Sequence, residues 1–461
     1  TQHPQKRAGC GAQRPQKSPG SAAPQVCYTL GHCHHAEHRN TMIARRLERI
    51  RLLQPSVLLA LAAAALVGFA VDGGVFSVLF NLYLVRLDYG PEAIGLVNAA
   101  GMLAFALASL PAGVLGERWG SRPMIVVGMA LMVAGGACLA LADQLPPELR
   151  LVWLLVNIAV LYLGMSLYFV NAPPFLMGLI DESQRNALFS TQVAALAIAA
   201  CAGSLVGGFL PQLFGAALGV PADAPAAFRA SLLAGALALV PGIAALAAAR
   251  PARRAPEARP AADDAPAAGV VGAALLGLLA LVGLVRVLQL AGMAAVSTFF
   301  NVYLDTELAV PTGQIGLITG VGRLIAAPAA LVTAPLAARY GNRGVVLWAS
   351  LASGLSLLPL ALIPHWAAAG VSFVGVIGLS SVRYASSLVY FMELVPPTRR
   401  GTVAGVMEMA GGASFTAMAF GGGFLVALLG FRSLFLLGAL LTSLSALVFW
   451  AAFRGGRFRR A

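Results

Sequence analysis

The sequence predicts an all-α integral membrane protein, twelve transmembrane helices in two pseudo-symmetric six-helix bundles, and three observations carry that expectation. The chain is 59% hydrophobic and 11% charged, with a mean hydropathy of +0.82, whereas a soluble domain carries roughly 25% charged residues. Residues 80–122 reappear as residues 300–343. Phe80-Asn81-Leu82-Tyr83-Leu84 returns as Phe300-Asn301-Val302-Tyr303-Leu304, Ile94-Gly95-Leu96 as Ile315-Gly316-Leu317, and Trp119-Gly120-Ser121-Arg122 as Tyr340-Gly341-Asn342-Arg343. Arginines are scattered through short loops rather than gathered in one basic domain, so the net charge of +13 reads as a set of topology signals and not as a nucleic-acid surface. Duplicated membrane bundles of this kind mark secondary transporters.

A membrane helix needs about 20 mostly apolar residues. Gly, Pro and charge clusters divide the chain into twelve such segments, numbered here 1 to 12: residues 56–86, 92–115, 123–142, 151–179, 187–214 and 227–249, then 269–304, 313–337, 344–363, 368–394, 402–428 and 432–453. Residues 42–249 form an N-terminal bundle and residues 269–461 a C-terminal bundle with a basic tail. Between them, 250–268 is a polar, proline-rich linker. From Met42 onward, 19 arginines fall on the side shared by the N-terminus, the linker, the even-numbered loops and the tail. Only Arg86, Arg150, Arg229 and Arg432 fall opposite, beside Asp88, Glu92, Asp143, Glu148, Asp223, Asp305 and Glu307. Positive-inside bias therefore puts both termini in the cytoplasm of a multi-pass inner (plasma) membrane protein.

Residues 1–41 differ from the rest. They hold both lysines of the chain, five of its six histidines and three of its five cysteines, and read as an upstream start before Met42 or a disordered leader. His32-Cys33-His34-His35 has metal-ligand composition but no core to fix ligands, so no metal is expected. Cys138 and Cys201 sit in apolar segments and read as small hydrophobes rather than a disulfide. No nucleophile–base pair, metal-ligand spacing or phosphate loop points to an enzyme or a cofactor, and nothing calls for more than a monomer.

The loop after segment 2, Gly113-Val114-Leu115-Gly116-Glu117-Arg118-Trp119-Gly120-Ser121-Arg122, resembles the G-x-x-x-D-R-x-G-R-R signature of the major facilitator superfamily (MFS). Glu117 stands for the aspartate and Ser121 for the first arginine of the pair. A worn copy, Arg339-Tyr340-Gly341-Asn342-Arg343, follows segment 8, with Ala338 at the acidic position. Asp181-Glu182-Ser183-Gln184-Arg185 after segment 4 answers Pro396-Pro397-Thr398-Arg399-Arg400 after segment 10. The resemblance implies a cytoplasmic gate. Glu117 would face the N-terminal end of segment 11 near Thr402, with Arg118, Arg122 and Arg185 completing a charge cluster; simple topology anchoring is the alternative for the arginines. Segment 5 carries Gly203-Ser204-Leu205-Val206-Gly207-Gly208, which resembles the end of the antiporter signature G-P-x-x-G-G with Ser204 in place of proline. Its upstream glycines are absent. Close helix packing is the bland reading of Gly203, Gly207 and Gly208. Segment 4 lacks the arginine that the family's proton-linked exporters place four residues before a glycine: Val160 stands there, ahead of Gly164.

Ionisable residues in mid-membrane cost at least about 2.5–3.5 kcal/mol and are functional candidates by default. Asp72 in segment 1 lies 14 residues before Arg86, roughly 21 Å along a helix, and Gly73-Gly74 loosen the helix beside it. A carboxylate in apolar surroundings exchanges its charge for a proton unless a cation pairs with it, which suits proton coupling; a structural arginine partner is the alternative. Arg286, Arg323 and Arg383 fall within segments 7, 8 and 10, which line or flank the cavity in the family, and either hold an anionic group or neutralise Asp72, Glu393 and Glu408. Phe76, Phe80, Asn81, Tyr162, Tyr168, Asn171, Phe299, Asn301, Tyr384 and Tyr390 are further cavity candidates, with packing or an outer gate as the alternative for Asn81, Asn301 and their neighbours Tyr83 and Tyr303. The resemblance implies alternating access. The leading expectation is export of a small organic solute against protons, with Asp72 as proton acceptor. Uptake or uniport of a metabolite, to which the three intramembrane arginines would lend an anionic preference, is the runner-up, and a non-transporting sensor the minor alternative. The expected partners are that solute, protons and membrane lipid.

Overall fold

The computed structural model describes residues 54–180, 185–249, 273–396 and 399–454. The leader, the linker, Asp181–Gln184 and the end of the basic tail lie outside them. Each of the twelve expected segments is helical over most of its described residues. Segment 1 is two helices, α1 (Pro55–Ala70) and α2 (Val75–Arg86). Segments 2 to 5 are α3 (Pro91–Trp119), α4 (Ser121–Ala140), α5 (Pro147–Met177) and α6 (Arg185–Leu218). Segment 6 is α7 (Pro225–Leu237) with α8 (Val240–Ala248). Segments 7 and 8 are α9 (Ala273–Thr306) and α10 (Thr312–Leu331), and segment 8 runs on into α11 (Thr333–Leu355). The rest of α11 with α12 (Leu358–Leu362) makes segment 9, α13 (Trp366–Glu393) segment 10, and α14 (Arg400–Phe453) segments 11 and 12.

Ten helical stretches among the described residues are long and apolar enough to cross a membrane. One of these, Thr402–Phe453, spans two segments and turns at Gly430, where φ is 78° and ψ 170°. Proline opens α1, α3, α5 and α7, where its missing N–H costs nothing and its fixed φ suits the first turn. Glu92 and Glu148 sit in first turns, against the positive end of the helix dipole. The repeat persists in backbone conformation. Gly120 (φ 91°) and Gly341 (φ 70°) turn the chain between segments 2 and 3 and between 8 and 9, and only glycine takes that region without strain.

The two bundles meet at the end of the molecule that carries Arg86 and Asp305. There segment 2 packs on segment 11, segment 5 on segment 8, and α2 on segment 7. Small residues let these helices touch backbone to backbone. A Cβ on Gly95 would fall 2.3 Å from the Ala419 carbonyl oxygen, and one on Gly208 2.9 Å from that of Thr312. Leucines such as Leu107, Leu110 and Leu428 are left exposed on the outer surface, as lipid-facing positions require.

Candidate functional site

Segment 1 breaks at Asp72. Helix α1 ends with the Val71 and Asp72 amides both donating to Val67 O at 2.9 Å, and Gly73 turns with φ 93°. The freed backbone groups are satisfied locally, as an apolar setting demands. The Gly73 amide donates to Ser77 Oγ at 3.0 Å, Ser77 Oγ–H to Val71 O at 3.1 Å, and Ser204 Oγ–H to Gly73 O. Segment 5 fits closely against this break. A Cβ on Gly203 would lie 2.0 Å from Phe69 O, and one on Gly207 3.1 Å from Val75 Cα. Of the segment 5 glycines, Gly203 and Gly207 therefore press on segment 1, and Gly208 on segment 8. Ser204, where the signature has proline, supplies a hydroxyl to the break.

The break opens on a cavity of about 250 Å³ between the two bundles. Asp72, Phe76, Ser77, Asn81 and Tyr162 line it from the N-terminal half, and Ser297, Thr298, Arg323 and Phe415 from the C-terminal half. Asp72 and Arg323 are half-buried and bring opposite charges from opposite halves to one space. The Arg323 stem lies against the turn, with its Cδ 2.9 Å from where a Gly73 Cβ would stand, and its Nε is buried without a hydrogen-bond partner.

Of the residues singled out from sequence, Asp72, Phe76, Phe80, Asn81, Tyr162 and Arg323 line this cavity. The others are placed elsewhere, each for a packing reason. The Asn171 amide donates to Ala112 O and Leu167 O, both at 3.0 Å, and so ties segment 4 to segment 2 beneath Gly116. Tyr168 is buried, edge-on to Phe169. Phe299 is fully buried in the core, and Tyr390 joins an aromatic group with Phe391, Phe449 and Phe453. Arg286, Arg383 and Tyr384 cluster within the C-terminal bundle rather than around Asp72. The Arg286 guanidinium lies 4.9 Å from the Tyr384 ring centre, and Tyr384 Oη–H donates to Glu408 at 3.1 Å. Glu393 is the last residue of α13. The sequence reading missed Asn98, Met102, Met165, Met293 and Phe415 in the cavity. Met and Phe in membrane helices carry no marker of function, whereas Asn98, like the equally missed Ser77, Ser297 and Thr298, is a polar residue in an apolar run.

The cavity is sealed toward the Arg86 end. Arg86 and Asp305 form a bidentate ion pair across the halves, at 2.7 and 2.6 Å. Asn81 Nδ2 donates to Thr298 O at 2.7 Å, and Asn81 Oδ1 accepts from Asn98 Nδ2 at 2.8 Å. Asn301 Nδ2 donates to Ser77 O at 2.8 Å. Tyr83 and Tyr303 work inside their own halves: Tyr83 Oη–H donates to Ala140 O at 2.8 Å, while Tyr303 packs on Phe431 and Phe435.

At the opposite end lies the loop 2–3 motif. Glu117 and Arg118 are exposed, as are Arg400 and Thr402 at the start of segment 11, and Glu117 and Arg118 form no ion pair among the described residues. Arg122 instead donates to the Leu246 and Ala247 carbonyl oxygens at the end of segment 6, within its own bundle. Arg339 stacks on Tyr340 at 5.4 Å, and Arg343 is exposed. Arg185 opens α6.

The comparisons with known proteins agree with this architecture. Over 169 residues the chain is 28% identical to the multidrug resistance protein MdtH of Yersinia pestis (strain Pestoides F) and 27% to that of Yersinia enterocolitica. The aligned stretch is 37% of this chain and spans 38% of the length of these relatives. In solved structures the fold matches a D-xylose-proton symporter (TM-score 0.69, 15% identity, 86% of this chain and 97% of that one). It also matches the nucleoside transporter NupG (TM-score 0.65, 15% identity, 87% and 100%). A bacterial homologue of the human lysosomal transporter Spinster, in an inward-facing and unoccupied conformation, matches with TM-score 0.67 at 14% identity over 87% and 98%. The Major Facilitator Superfamily profile matches residues 57–286 and 282–460, and the chain therefore belongs to that superfamily of multi-pass membrane transporters.

Proposed function

We propose that this transporter exports a small organic solute in exchange for protons, with Asp72 as the proton acceptor and Arg323 as its counter-charge. The observation that carries the reading is the placement of Asp72 on the unwound turn of segment 1, facing a cavity that Arg323 lines from the other half. A carboxylate that a cation attracts in one arrangement of the halves, and that loses this cation when they rock apart, changes its hold on a proton between the two. Coupling between proton and solute needs no more than that difference. The seal at the Arg86 end and the exposure of Glu117 and Arg118 at the other suit an inward-facing state, with both termini in the cytoplasm and one copy of the chain sufficient for transport. The Gly203–Gly208 stretch against segment 1 and the partial likeness to MdtH favour export.

The test is proton movement in everted membrane vesicles. With a respiration-driven pH gradient established, cationic, neutral and anionic compounds are added to vesicles bearing the wild-type protein or Asp72→Asn. Collapse of the gradient by a compound in wild type, absent in the variant, supports antiport through Asp72. Equal collapse in both would remove Asp72 from the coupling path. The second reading, uptake or uniport of an anionic metabolite, is favoured by the buried arginines Arg286 and Arg383. It predicts accumulation of an anion in right-side-out cells that does not depend on Asp72.

A further inference from the structure

Arg286 and Arg383 are buried charges without a counter-charge in contact. Segment 7 carries Arg286 and, one turn on, Gln289; segment 10 carries Arg383 and, one turn on, Ser386 and Ser387. Arg286 is 5% exposed, Arg383 1% and Gln289 0%. Neither arginine forms an ion pair among the described residues. Nε and Nη1 of both guanidiniums, both polar atoms of the Gln289 amide and the hydroxyls of Ser386 and Ser387 have no hydrogen-bond partner. The one bond of Arg383 runs from Nη2–H to Ser380 Oγ at 3.2 Å.

Native proteins satisfy nearly all their buried polar groups, and each exception calls for an explanation. A buried cation persists only where an anion or a dense set of acceptors offsets its lost hydration. Here donors gather instead: segments 7 and 10 pack together, and the Arg286 guanidinium lies 4.9 Å from the ring centre of Tyr384, the residue that follows Arg383. Glu408, which accepts from the Tyr384 hydroxyl at 3.1 Å, forms no ion pair with Arg286 among the described residues. Two planar guanidiniums with an amide and hydroxyls beside them form the donor set that grips an oxyanion, because each guanidinium edge presents two parallel N–H groups.

We propose that Arg286 and Arg383, with Gln289, Ser386 and Ser387, form a binding site for the carboxylate or phosphate group of the transported solute, distinct from the cavity of Asp72 and Arg323. Tyr384 and Glu408, both exposed, join this group to the surface through the Arg286–Tyr384 contact and the Tyr384–Glu408 hydrogen bond. Glu408 is the resident negative charge that an incoming anion displaces. The identity of the anion as cargo rests on the transport reading above; the site itself rests on its unpartnered donors.

The test is the thermal unfolding midpoint of the full chain purified in mild detergent, with inorganic phosphate or succinate titrated against chloride at fixed ionic strength. The midpoint should rise saturably with one or both ions in wild type and equally in Asp72→Asn, and should not rise in Arg286→Gln or Arg383→Gln. Without added anion, those two variants should unfold at or above the wild-type temperature, because each removes an uncompensated charge. Glu408→Gln keeps both arginines and should lower the half-saturating phosphate concentration several-fold. A flat wild-type response, or an undiminished rise in the arginine variants, overturns the site. So do arginine variants that unfold well below wild type without anion, since that is the behaviour of structural partners. A rise seen only with phosphatidylglycerol-containing vesicles assigns the donors to a lipid headgroup and overturns the solute site. Loss of the proton-coupling reading would leave the anion response in place, because Asp72 lies in the other cavity.

Discussion

Asn81 and Asn301 each clamp the other's helix: Asn81 Nδ2 donates to Thr298 O at 2.7 Å, and Asn301 Nδ2 to Ser77 O at 2.8 Å. The two asparagines occupy matching places in the duplicated Phe-Asn-x-Tyr-Leu stretches, so the internal symmetry of the chain becomes a reciprocal bond between its halves. One turn further on, the Arg86–Asp305 pair closes the same end.

Weakening this seal should open that end without unfolding either bundle. Asn301→Ala and Asp305→Asn should each shift the balance of closed to open states by about 1–2 kcal/mol, roughly 5–30-fold. With Cys138 and Cys201 replaced, Ser297→Cys in the cavity reports the change through its rate of reaction with a membrane-impermeant maleimide added from the Arg86 side. Unchanged labelling in both variants would mean that neither contact holds the end shut.

Segment 5 bears on segment 1 through Gly203, where a Cβ would meet the Phe69 backbone oxygen at 2.0 Å; around Gly421 in segment 11 nothing stands within 4 Å. Gly203→Ala should therefore cost about 1–3 kcal/mol of stability through forced separation of the helices, with loss of transport. Gly421→Ala should be near neutral. Thermal unfolding in detergent distinguishes the two, and equal effects would refute the close approach.

Gly116 and Asn171 form a fitted pair, since a Cβ on Gly116 would fall 1.7 Å from Asn171 Oδ1. Gly116→Ala should displace the Asn171 amide from the Ala112 carbonyl and cost about 1–3 kcal/mol. Adding Asn171→Ala should recover part of that loss. A double variant as unstable as the sum of the singles would show that the two positions do not interact.

Asp72 and Arg323 should be coupled energetically although they are not in an ion-pair contact. Asp72→Asn and Arg323→Gln should each change stability, and the double variant should depart from additivity by about 0.5–3 kcal/mol. Additive effects would separate the two charges and weaken their proposed partnership.

The loop 2–3 residues should divide by the contacts they make. Glu117→Gln should leave stability within about 0.5 kcal/mol, as an exposed residue does. Arg122→Ala, which frees the end of segment 6, should lower it by about 1–3 kcal/mol. Unfolding midpoints of the two variants check this, and a larger loss from Glu117→Gln would reveal a partner for it in the folded protein.

Hydropathy and the duplicated stretches fixed the secondary structure and its division into two halves, because a membrane leaves the backbone no option but a helix wherever about 20 apolar residues run together. Asp72 and Arg323 were legible as candidates for the same reason, since charge in an apolar segment stands out. The sequence also marked Gly73 and Gly74 as a weak point, though not that Ser77 and Ser204 would satisfy the opened turn.

Which charges face each other was decided only by the tertiary structure. Arg286, Arg323 and Arg383 look alike in one dimension, yet one lines the cavity of Asp72 and the other two are buried together in the C-terminal bundle. Asn171 and Asn81 are both polar residues in apolar helices, but one ties segment 4 to segment 2 and the other crosses between the halves. A helix presents a new face every residue, about 100° from the last. Partnership therefore depends on the rotation and depth at which each helix packs, and local sequence does not encode either one.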